Sequence, residues 1–148
     1  MVRFSKAFWY ISIVFFLISL FYFYAGMTER TTYSGSLGVL NSINSHQLFY
    51  ISLGTVVIIN VLCVSLVKLL SLKKMNGLLL DLWNGGLYGF AAMANFFMIS
   101  SLFTLLFIEN EMSNLYYLAY IGPVILVGWL VIFLVNLFQT LPKIKKSI

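Results

Sequence analysis

Residues 81–109, Asp-Leu-Trp-Asn-Gly-Gly-Leu-Tyr-Gly-Phe-Ala-Ala-Met-Ala-Asn-Phe-Phe-Met-Ile-Ser-Ser-Leu-Phe-Thr-Leu-Leu-Phe-Ile-Glu, decide the fold class. Between Asp81 and Glu109 there is no charged side chain. At 1.5 Å of rise per residue, about 20 apolar residues in a helix cross a hydrocarbon core ~30 Å thick. Three more charge-free windows have room for the same crossing: Lys6 to Glu29, Arg30 to Lys68, and Glu111 to Lys143. The expectation is an all-α integral membrane protein, one domain of four transmembrane helices in antiparallel up-down order. The spans are placed at about 8–25, 47–68, 82–108 and 115–138.

Composition agrees with that reading. Of 148 residues, 61% are hydrophobic and 9% charged, and the mean hydropathy is +0.99. A soluble domain covers its surface with roughly a quarter charged residues, so a water-facing enzyme and a disordered tail are both excluded. The apolar part of the first segment is longer than the 7–15 residues usual in a secretory signal, so an uncleaved signal-anchor helix is expected.

The few charges lie at the ends of the spans. Arg3, Lys6, Lys68, Lys73, Lys74, Lys143, Lys145 and Lys146 fall on one side of a four-span arrangement, and only Arg30 falls opposite. Basic residues favour the cytoplasmic side. Both termini, the connection 69–81 and the tail 139–148 are therefore expected in the cytoplasm of a cell-membrane protein, with loops 26–46 and 109–114 outside. The net charge of +5 is accounted for by orientation and by contact with membrane lipids, without nucleic acid.

Asn60 and Asn95 lie near the middle of the second and third spans, and antiparallel packing brings them to similar depth, where amides hydrogen-bond between helices. Asn84, Tyr88, Ala91 and Asn95 form one stripe at helical spacing, expected to face protein. Gly85 and Gly89 make a GxxxG pair next to Gly86, a pattern suited to close backbone approach within the chain or between copies. Trp129 lies deep in the fourth span with Asn136 on its face. Phe is at home anywhere in lipid, while Phe8, Trp9, Tyr10 and Trp83 read as interfacial at an inner edge and Tyr22, Tyr24, Tyr116, Tyr117 and Tyr120 at an outer edge. Gly122-Pro123 marks a late helix start or a kink.

No catalytic, cofactor-binding or metal-binding residue is assigned. His46 is the one histidine and Cys63 the one cysteine, which leaves no multi-His metal site and no internal disulfide. Asp81 is expected to pair with Lys73 or Lys74 or to be hydrated, in preference to proton relay. Nucleotide-loop, dinucleotide, metalloprotease-helix and c-type haem motifs are missing. The leading expectation is a noncatalytic integral subunit that assembles, stabilises or anchors a larger membrane complex, its partners being other integral subunits or identical copies. A small oligomeric channel or transporter lined by Asn60, Asn84, Tyr88 and Asn95 is the first alternative. A subunit contributing to a lipid or quinone site is the second.

Overall fold

The computed structural model describes residues 2–27, 45–73, 76–109 and 118–145. Four helices make up the fold: α1 Val2–Met27, α2 Ser45–Leu72, α3 Gly77–Glu109 and α4 Leu118–Lys145. Each contains a stretch long and apolar enough to cross a membrane. The chain is an all-α, multi-pass membrane protein. A helix suits every span because hydrocarbon offers no water to a backbone N–H or C=O, and the helix satisfies these groups within the segment.

The helices outrun the spans expected from hydropathy. They hold 26, 28, 33 and 28 residues, or about 39 to 50 Å against a ~30 Å core. The connection expected over 69–81 is correspondingly smaller, since 69–72 continue α2 and 77–81 already belong to α3. The tail expected from 139 is helical to Lys145, and the loop placed at 26–46 loses both of its ends to helix. Hydropathy finds the part of a helix that crosses hydrocarbon; backbone hydrogen bonding carries the helix into the headgroup region regardless of side-chain polarity. Residues 28–44, 74–75, 110–117 and 146–148, which include Glu29, Arg30, Lys74, Glu111 and Lys146, lie outside the described residues.

Asn76 sets the start of α3. Its side-chain Oδ1 accepts the N–H of Leu78 at 3.0 Å, and its backbone oxygen accepts that of Leu80 at 2.9 Å. This is an N-cap, which occupies donors that have no partner inside the helix. In α4, Pro123 lies inside the helix and removes one donor near its beginning. The N–H just before it, at Gly122, donates to Ser100 Oγ of α3 at 3.2 Å.

Contacts fix the up-down order. Tyr24 near the end of α1 meets His46 at the start of α2, while Trp9 near the start of α1 meets Asn60 in the second half of α2. Along α3, Tyr88 lies on Trp9, Phe96 on Phe8 and Phe103 on Tyr22, so α1 and α3 run parallel. α4 runs back along α3, with Phe133 over Gly86, Trp129 over Gly89 and Gly122 against Phe97 and Ser100. α3 packs on all three other helices, and the extensive contact of α4 is with α3.

Aromatic side chains of α4 lie in notches on α3. A methyl group at Gly86 would stand 2.3 Å from Phe133 Cε2, and one at Gly89 would stand 2.5 Å from Trp129 Nε1. Trp129 and Phe133 are stacked on each other, with ring centres 5.4 Å apart and planes within 9°, so neither ring moves alone. Gly89→Ala is expected to destabilise the bundle by about 1–3 kcal/mol through overpacking. Gly128→Ala meets nothing within 4 Å and should be neutral or stabilising by up to about 1 kcal/mol. Thermal unfolding of the two variants in detergent checks the contrast.

Candidate functional site: a buried polar circuit

Two apolar clusters lie inside the bundle. Toward the His46 end lie Phe16, Leu20, Phe23, Val56 and Leu102; toward the Asn76 end lie Trp9, Cys63, Val67, Tyr88, Ala91 and Ala92. Between them is a thin polar layer contributed by three helices.

Asn60 of α2 and Asn95 of α3 meet directly, the Asn60 amide donating to Asn95 Oδ1 at 2.8 Å. Asn60 Nδ2 also donates to the Val56 carbonyl at 2.7 Å, and its Oδ1 accepts the indole N–H of Trp9. The Asn95 amide donates to Ser12 Oγ at 2.9 Å, and this hydroxyl donates in turn to the Trp9 carbonyl at 2.7 Å. A longer contact of 3.4 Å runs from Asn95 Nδ2 back to Asn60 Oδ1. Trp9, Ser12, Asn60 and Asn95 thus form a closed circuit. Asn95 and Ser12 are wholly buried and Asn60 is 8% exposed.

Chemically, every side-chain donor in the circuit is used. An amide offers two donors and an oxygen acceptor, an indole one donor, a hydroxyl one donor and two lone pairs. Both amides use their donors and their oxygens within the layer, and the hydroxyl both accepts and donates. Every N–H and O–H of these side chains is thus engaged by a neighbour, so none is ready to donate to a passing solute without first breaking a bond. The arrangement locks register, and its side chains are neutral at every physiological pH.

Tyr88 is buried with its ring 5.2 Å from that of Trp9, and Ala91 is fully buried. Asn84 follows on the same stripe, its Oδ1 buried with no hydrogen-bond partner among the described residues. The Gly85–Gly89 pair does not form one contact face. Gly85 looks toward Val2 and Ser5 of α1, whereas Gly89 lies under Trp129 of α4. Four residues advance a helix by slightly more than one turn, and α1 and α4 flank α3 closely enough for that offset to separate them. The pair directed at α4 is Gly86 and Gly89. Asn136 donates to the Ile132 carbonyl at 2.8 Å, and its own carbonyl accepts Thr140 Oγ1 at 2.7 Å, so it bonds within α4. Asp81 is exposed, and no ion pair joins it to Lys73.

Two members of the circuit escape composition-level reasoning. Trp9 reads as an interfacial aromatic residue near a basic start, yet it is buried at 9% exposure and donates to Asn60. Ser12 carries no motif. Their signal lies in the spacing, because Trp9, Ser12, Phe16, Ser19 and Phe23 recur every three or four residues and are all buried.

Breaking the circuit tests its strength. Asn60→Leu and Asn95→Leu should each destabilise the bundle, and the double variant should be less destabilised than the sum. The expected coupling is about 0.6 to 2 kcal/mol, the range found for polar contacts between membrane helices. A double-mutant cycle of unfolding free energies measures it.

No known protein family, curated protein or solved structure matches the chain, and its functional reading rests on the bundle's own geometry.

Proposed function

We propose that this membrane-embedded bundle is a noncatalytic integral subunit that assembles, stabilises or anchors a larger membrane complex. The observation that carries the reading is the closed circuit: the amides best placed at mid-depth to line a pathway, Asn60 and Asn95, have their N–H groups bonded inside the bundle and are joined to each other, to Trp9 and to Ser12. Polar side chains in a membrane interior are retained where they hold helices together or where they act on a solute. Here their bonding capacity goes to the first purpose. The partners on this reading are other integral subunits or identical copies of the chain.

The basic residues support an orientation in the cell membrane with both termini cytoplasmic. Arg3 and Lys6 near the start of α1, Lys68 and Lys73 near the end of α2, and Lys143 and Lys145 at the end of α4 share one end of the up-down bundle. Basic residues flanking spans favour the cytoplasm.

Purification of the tagged chain from its native membrane in a mild detergent should bring down a stable, stoichiometric membrane partner. A solitary chain that alone sustains solute flux or a reaction in liposomes would overturn the proposal. Tags at the two ends should be protected from external protease in sealed, right-side-out cells. Cleavage of either from outside would reverse or break the orientation.

A further inference from the structure

The outer face of α1 combines an apolar depression with cations one and two turns below it. Tyr10, Ile11, Val14 and Phe15 line a cavity of about 340 Å³ open to the surroundings. Their side chains are 50–56% exposed and belong to neither buried cluster. Lys6 precedes Tyr10 by four residues and Arg3 precedes it by seven, spacings that put both on the same helical face. At 1.5 Å per residue they lie about 6 and 10 Å closer to the end of the bundle. Both are exposed, and neither is in an ion pair among the described residues.

One wall of the depression is held from inside the protein. The Tyr10 ring packs on the Trp9 indole with centres 4.6 Å apart, and that indole is tied to Asn60 across the helix interface. The polar circuit inside the bundle therefore also positions part of its outer surface.

The geometry points to a site for one acidic phospholipid on α1, with an acyl chain in the depression and the headgroup phosphate at Arg3 and Lys6. Charge complementarity at a defined depth selects this occupant. A lipid beside this helix presents an anion at the interface and a hydrocarbon chain directly below it, in the order that the Arg3, Lys6, Tyr10, Val14 face presents cations and then apolar surface. A zwitterionic lipid brings its own cation to the phosphate and gains less from two unpaired basic side chains than an acidic one, for which each such residue contributes favourably near the surface. The inference stands independently of the subunit proposal, because it concerns lipid and needs no protein partner.

The test is native mass spectrometry of the full chain in mild detergent with equal amounts of phosphatidylglycerol and phosphatidylcholine. The wild type should retain phosphatidylglycerol in preference by on the order of tenfold. R3Q/K6Q should abolish the preference, and K68Q/K73Q, which removes as much charge from α2 at the same end, should leave it intact. Val14→Trp, which fills the depression, should lower retention of both lipids. All these positions are exposed, and unchanged circular dichroism verifies that each variant is folded. The assignment is overturned if the wild type shows no preference, if R3Q/K6Q keeps it, if K68Q/K73Q removes it equally, or if Val14→Trp retains lipid like the wild type.

Discussion

A polar group placed in hydrocarbon has to find its partner inside the protein, and the bundle is arranged around that requirement. Leaving a buried amide unpaired costs several times what a formed hydrogen bond contributes net, so the alternatives to the observed packing are penalised more than the observed packing is rewarded. With the Asn60–Asn95 contact at 2.8 Å, sliding α2 along α3 by one helical turn would break the bonds that Asn60 makes to both neighbours and leave the Trp9 indole N–H and the Asn95 oxygen without them. Apolar packing alone does not discriminate so sharply, because lipid tails are as apolar as the leucines they replace. The two hydrophobic clusters supply contact, and the polar layer between them supplies register.

Close packing then decides where α4 goes. It has no share in the circuit, and much of its surface is exposed Ile, Val and Leu. What holds it against α3 is chiefly shape: two stacked rings enter positions where α3 has no side chain, and the Gly122 backbone approaches Phe97 and Ser100, where its N–H also bonds to the Ser100 hydroxyl. Three helices are thus joined by a network of side-chain bonds and the fourth chiefly by fitted surfaces. These are different kinds of constraint, one sensitive to a lost donor and the other to an added methyl group.

The sequence made the fold legible because charge is so scarce in it. Four uncharged windows bounded by Lys, Arg, Asp and Glu leave little freedom in the number of spans, and the depth of Asn60 and Asn95 follows from where those windows end. Helix ends were less legible, since a capping Asn76 and continued backbone bonding extend helix beyond the apolar stretch. The contact between Asn60 and Asn95 was foreseeable as matched depth; the donor that completes it was not. Trp9 lies six residues from Arg3, where tryptophan usually means interface, and only the buried stripe shared with Ser12 and Phe16 separates it from that class. For the Gly85–Gly89 pair, sequence spacing gives a common face only to within part of a turn, and α1 and α4 divide that face between them.

The circuit also has a chronology. Its bonds join residues far apart along the chain, with Trp9 separated from Asn60 by 51 positions and Ser12 from Asn95 by 83. Ribosomes add roughly 5–20 residues per second, so α1 precedes its parallel neighbour α3 by roughly 4–17 s. During that interval Ser12 Oγ lacks its donor from α3, Asn95, while the Trp9 indole waits a shorter time for Asn60 of α2. The order of synthesis therefore makes α1 the segment with the longest wait, dependent on lipid headgroups, water or an insertion factor until the rest of the bundle emerges. A substitution in α3 that delays its insertion would first be felt at the other end of the polypeptide.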